Sequence, residues 1–107
     1  MYKSTKNVDD ILQTSQEKVV LVFKHSNSCP ISYNAKTEVD SFIENNTIHD
    51  VYLVIMQENR TISNEIAEKL EVRHESPQFL VIKNMKAECV LNHYDITREN
   101  IEKSLTS

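Results

Sequence analysis

Cys29-Pro30-Ile31-Ser32 is the stretch of this 107-residue chain whose residue types and spacing can do chemistry. The thiolate of a cysteine is the nucleophile, the thiol is not, and a free cysteine titrates at about 8.5. Proline suits the first position of a helix, where its missing N–H costs nothing. With Pro30 there, Cys29 occupies the N-cap, and the unpaired N–H groups of Ile31 and Ser32 point toward its sulfur. Together with the positive end of the helix dipole they favour the thiolate, so a depressed pKa is expected for Cys29. Ser32 stands where a two-cysteine redox motif carries its resolving thiol. A serine forms no disulfide but can donate a hydrogen bond to the thiolate. The site is therefore monothiol, and a mixed disulfide on Cys29 has to be resolved by a thiol of another molecule.

Pro77 is the second feature. It directly precedes the apolar run Phe79-Leu80-Val81-Ile82, and a cis Ser76–Pro77 bond would explain a proline there. A trans proline that merely begins a strand is the plainer alternative. The other thiol, Cys89, sits in a later strand, with Glu88 and Val90 beside it. A resolving role would need its Cα within about 7 Å of that of Cys29. Strand pairing places Cys89 roughly 10 Å along from the Pro77 end, so it is expected to be a spectator. Of the four histidines, His93 is expected nearest the cysteine, as a possible thiolate or substrate contact. His25 and His74 flank the same region, and His49 reads as a surface loop residue. None forms a zinc pattern with the cysteines. Arg60 and Lys24 are candidates for binding carboxylates, against the alternative of ordinary surface charges.

The elements around these residues follow from periodicity. Asn7 can cap a short helix with Val8, Ile11 and Leu12 inward, and Gln13 to Lys18 reads as a connector. Val19 to Phe23 lacks polar alternation and reads as a strand covered on both faces, with Lys24 to Ser28 as a loop. Ala35, Val39, Phe42 and Ile43 give the helix after Pro30 one apolar face, fading near Glu44 to Asn46. Val51 to Met56 is a second buried strand, which completes a βαβ unit. A helix follows with Ile62, Ile66, Ala67 and Leu70 inward and Ser63 as a possible cap. Phe79 to Ile82 and Ala87 to Leu91 form an antiparallel pair across a short turn. Thr97 caps a last helix, with Ile96 and Ile101 as its hydrophobic staple. Glycine is absent, so left-handed positions, Asn84 first, are expected to fall to asparagine. The order α-β-α-β-α-β-β-α implies an α/β, thioredoxin-like three-layer sandwich with a central mixed four-stranded sheet, one domain over residues 1–107.

Composition removes several function classes. Net charge is −4 with the signs interleaved, so there is no basic stripe for nucleic acid. No apolar run approaches the roughly 20 residues of a membrane span, and MYKSTKNVDD holds no secretory signal. The expected compartment is the cytosol, and the expected state a monomer. Two cysteines are too few for a secreted disulfide scaffold.

Cys29-Pro30-Ile31-Ser32, Glu58-Asn59-Arg60, His74-Glu75-Ser76-Pro77-Gln78 and His93-Tyr94-Asp95-Ile96-Thr97 occur in that order. Together they resemble the monothiol bacilliredoxin family over nearly the whole chain. Tyr94 departs from it, because a tryptophan is expected there in many relatives. The resemblance implies Cys29 as nucleophile, Pro30, Ile31 and Ser32 as thiolate-stabilising, Pro77 as a cis-proline, and Ser76, Pro77 and His93 as substrate-binding. It implies bacillithiol as co-substrate and S-bacillithiolated proteins as clients, with no tightly bound cofactor. A separate NADPH-dependent flavoprotein would reduce the bacillithiol disulfide. Two alternatives stand beside it. A glutaredoxin-like protein using another low-molecular-weight thiol is disfavoured by the absence of glycine. A non-enzymatic thioredoxin-fold adaptor would not need an activated thiol.

Overall fold

The computed structural model describes residues 2–4, 7–45 and 48–106. Its elements are β1 (Tyr2–Lys3), α1 (Val8–Thr14), β2 (Val20–His25), α2 (Pro30–Glu44), β3 (Val51–Ile55), α3 (Arg60–Lys69), β4 (Gln78–Lys83), β5 (Lys86–Asn92), a 3-10 turn (His93–Asp95) and α4 (Arg98–Thr106). The sheet has five strands in the order β1-β3-β2-β4-β5. β1 and β2 both run parallel to β3, whereas β4 is antiparallel to β2 and to β5. This is the expected three-layer arrangement with one strand added. Tyr2 and Lys3 pair with Val51 and Tyr52 at the edge, too short a segment to show alternation in the sequence.

Alternation along β2 and β4 builds two cores. Leu21, Phe23, Phe79 and Val81 pack under α2 and α4, with Ala35, Val39, Phe42 and Ile101. Val20, Val22, Leu80 and Ile82 pack under α1 and α3, with Val8, Ile11, Leu12 and Ile66. Central strands covered on both faces explain the unbroken apolar runs.

The caps mostly follow the sequence. Asn7 Oδ1 accepts from Asp9 N at 2.8 Å, and Thr97 Oγ1 from Asn100 N at 3.1 Å. Ser63 is the exception: α3 starts three residues earlier, with Asn59 at its N-cap and Ser63 buried one turn in. α2 ends at Glu44, and Asn46 lies outside the described residues. β2 also runs two residues past its expected end. Lys24 and His25 continue the strand and are buried rather than looped out, because β3 pairs with both and β4 with Lys24. Lys24 therefore does not serve as a surface group for carboxylates. The left-handed positions are Glu71, Asn84, Met85 and His93. Only Asn84 matches the asparagine expectation. The hydrogen bond from Asn84 N to Ser15 O (2.8 Å) and that from Met85 N to Ser15 Oγ (2.9 Å) fix the β4–β5 turn whatever its side chains prefer.

Candidate active site

Cys29 has the extended backbone of an N-cap (φ −108°, ψ 119°), and Pro30 is the first residue of α2. The Cys29 thiol is held below its usual range, first by the backbone N–H of Ser32 and further by that of Ile31 and the Ser32 hydroxyl, while desolvation opposes them. Ser32 is fully buried, and its Oγ accepts from Ser26 N at 3.2 Å. Accepting that bond leaves the hydroxyl proton free to donate toward Cys29 Sγ. The arrangement presents a thiolate, with no second thiol in the motif, at the mouth of a cleft.

That cleft, of about 280 Å³, is lined by Ser26, Ser28, Cys29, Met56, Gln57, Arg60 and Ser76. The turn before β4 thus comes to the cysteine as expected, and the Ser76–Pro77 bond is cis. Pro77 itself is buried beneath the turn, and its carbonyl accepts from His93 N at 3.0 Å. His93 does not line the cleft. It faces a separate groove with Ile31, Asn34 and Tyr94, and its Nε2 lies 3.3 Å from Glu75 Oε1. Arg60 does line the cleft. Cys89, paired with Val81 in the sheet, opens into a different cavity with Val19, Lys83 and Leu105. Both cysteines are free. No cluster among the described residues has the composition of a metal site.

Gln57 is a residue that sequence reasoning passed over. Its Nε2 donates to Ser26 Oγ (3.0 Å) and Ser28 Oγ (3.1 Å), and its Oε1 accepts from Asn27 N (3.1 Å). One side chain from the loop after β3 thus staples the loop that delivers Cys29. The signal was available: β2 and β3 are parallel neighbours, so the loops after them emerge side by side. Tyr33 adds a second tie, its hydroxyl donating to Asn27 O at 2.9 Å while His25 meets its ring edge-on. Burial and the Lys36 ammonium both hold the His25 imidazole below its usual pKa, so it is neutral at physiological pH.

The match to the family described as monothiol bacilliredoxin BrxC extends over residues 2–101 and includes every residue of this site. The chain belongs to that family. Its fold agrees with solved structures. A protein described as a candidate oxidoreductase with a thioredoxin fold is 32% identical, with a TM-score of 0.83, over 95% of this chain and 91% of that one. Thioredoxin from Fasciola hepatica, 14% identical, matches with a TM-score of 0.72 over 96% of this chain and 92% of its own. Thioredoxin from Plasmodium falciparum, 15% identical, also gives 0.72 and covers both chains fully. This bacilliredoxin-family protein is thus a thiol oxidoreductase of thioredoxin-like fold. No helix among its described residues is long and apolar enough to cross a membrane.

Proposed function

We propose that the protein removes bacillithiol from S-bacillithiolated proteins in the cytosol, with Cys29 as the nucleophile. The observation that carries the reading is the pairing of Cys29, at a helix N-cap with its thiol pKa lowered, with a serine at the resolving position. The Cys29 thiolate attacks the bacillithiol sulfur of the client's mixed disulfide. The client leaves as a thiolate and takes up a proton, and Cys29 holds bacillithiol as a new mixed disulfide. A second bacillithiol thiolate attacks the bacillithiol sulfur on Cys29. The products are bacillithiol disulfide and the free Cys29 thiolate. The net change is one client disulfide and one bacillithiol converted to one client thiol and one bacillithiol disulfide, so electrons balance. A separate NADPH-dependent flavoprotein then reduces that disulfide.

Ser76, which lines the cleft with Cys29, offers backbone to an extended client segment. Pro77 holds that turn from below. His93, beside Glu75 and the groove next to the cleft, is the outer contact for the client. The protein acts as a monomer and needs no bound cofactor. The deciding experiment offers a bacillithiol-modified protein to wild type and to Cys29→Ser. Wild type should release bacillithiol and Cys29→Ser should not. Equal release by both, or release by neither, overturns the reading and leaves the adaptor role.

A further inference from the structure

Two buried polar side chains that the exchange steps do not use meet an exposed histidine. Lys24 on β2 is completely buried, and its Nζ lies 3.3 Å from His74 Nδ1. Ser63 on α3, also completely buried, places Oγ 3.3 Å from the same nitrogen. His74 belongs to the turn that carries Ser76 and Pro77. Three elements therefore converge on one imidazole nitrogen: the strand that leads to Cys29, the helix that begins with Arg60, and the turn whose Ser76 lines the cleft.

The donor and acceptor chemistry is restrictive. A lysine ammonium has three N–H donors and no acceptor. Nδ1 must therefore offer its lone pair, and the imidazole proton must sit on Nε2. The Ser63 hydroxyl also donates, so one lone pair serves two donors, which accounts for both distances being 3.3 Å. A proton on Nδ1 would set an N–H and a positive ring against the Lys24 ammonium, while the Ser63 contact would only reverse, its hydroxyl oxygen accepting.

We infer that His74 is a positioning residue: through an unprotonated Nδ1 it ties the turn carrying Ser76 to Lys24 of the central strand, and acid releases that tie. The groups facing it are Lys24 from β2, Ser63 and Arg60 from α3, and Glu75 from its own turn. Gln78 of β4 is held elsewhere, by Arg73 O and Asn92 Oδ1. Desolvation, then Lys24 and Arg60, lower the His74 pKa, while Glu75 opposes them. Glu75 is itself engaged by Arg73 and His93. The tie is therefore complete above the ordinary histidine value of 6.5 and is lost as pH falls through the lowered one.

This inference rests on the proposed role of Ser76 as the client-binding wall, but its test uses no bacillithiol. The probe is a peptide carrying a thionitrobenzoate mixed disulfide. Cys29 thiolate attacks the peptide sulfur, forms a Cys29–peptide disulfide and releases coloured thionitrobenzoate. The rate is divided by that of iodoacetamide alkylation of Cys29, which reports thiolate alone. In wild type the ratio should fall as pH drops below 6.5. His74→Asn places an oxygen acceptor near Nδ1 without a titrating ring. It should keep the neutral-pH ratio within about twofold and abolish the acid fall. His74→Leu should lower the ratio roughly tenfold at every pH. Nitrogen NMR on wild type should show Nδ1 unprotonated at pH 7. A protonated Nδ1, an acid fall that persists in His74→Asn, or a wild-type ratio in His74→Leu would each overturn the inference. Should His74→Leu not fold, the other two readouts still decide. Failure of wild type to debacillithiolate a client would instead count against the proposed function.

Discussion

Cys29 and Cys89 are both partly exposed free thiols on one sheet, yet their surroundings have little in common. Cys29 is an N-cap, with the unpaired N–H groups of a helix start and a buried serine hydroxyl converging on it. Cys89 lies on the edge strand β5, opposite Val81, with no helix start beside it. A helix start converges several unpaired N–H groups on one point, whereas successive groups along a strand face different ways. The comparison teaches that activation here belongs to backbone geometry rather than to nearby charge, because the causes lowering the Cys29 pKa include no cation.

The most severe way to break that contrast is to exchange the thiols for serine. Cys29→Ser should abolish disulfide exchange, whereas Cys89→Ser should leave its rate within about twofold, measured on the same mixed disulfide. A large loss in Cys89→Ser would make it a resolving thiol and require movement between two separate cavities. Next in size is Ser32→Ala, which removes one of the three groups favouring the thiolate. The midpoint of iodoacetamide alkylation against pH should rise, and the rate at pH 7 should fall several-fold. The sign for stability follows from the depressed pKa. Reduced wild type gains over Cys29→Ser above the unfolded thiol value, and loses that gain as pH falls through the lowered folded one.

Burial of Lys24 near the end of β2 gives a third test, independent of the thiols. Desolvation lowers the Lys24 pKa to about 8. Between there and the ordinary 10.5 the unfolded chain keeps a proton that the folded chain has lost. Wild type should therefore gain on the order of 3 kcal/mol relative to Lys24→Met as pH rises through that window, read from urea unfolding. No gain would mean that Lys24 is less shielded than its burial indicates. The smallest expected effect is that of Gln57→Ala. It removes three hydrogen bonds to the loop before Cys29 and should cost roughly 1–2 kcal/mol of stability. It should slow client exchange more than alkylation by a small reagent, since the cysteine keeps its helix but its cleft loosens.

Much of the site was legible because its rules are local. Cys29, Pro30 and Ser32 announce an N-cap thiol by spacing alone, and the turn at Pro77 announces itself by preceding an apolar strand. The apolar runs of β2, β3 and β4 gave the layers, since burial on both faces leaves no alternation to misread. The reading failed where a residue's type pointed to one environment and its neighbours imposed another. Lys24 and His25 look like loop residues, but pairing with parallel β3 carries β2 two residues further, with β4 also flanking Lys24, and both are buried. β1 has two residues and is a strand only because β3 offers a free edge. Glu71 and Met85 take left-handed backbone that their side chains do not favour.

The sequence by itself determined that one cysteine would be activated and that its partner thiol must come from elsewhere, because helix-start chemistry and the Cys29-to-Ser32 spacing lie within four residues. Tertiary structure alone decided what surrounds that thiol. It brought Ser76 and Arg60 to the cleft and sent His93 to the neighbouring groove. It made Gln57 the staple of the Cys29 loop and turned Lys24 inward onto His74. The Gln57 and Lys24 contacts join residues 29 or more positions apart across parallel and antiparallel strands. Their register is set by packing on both faces of the sheet, which no local pattern records.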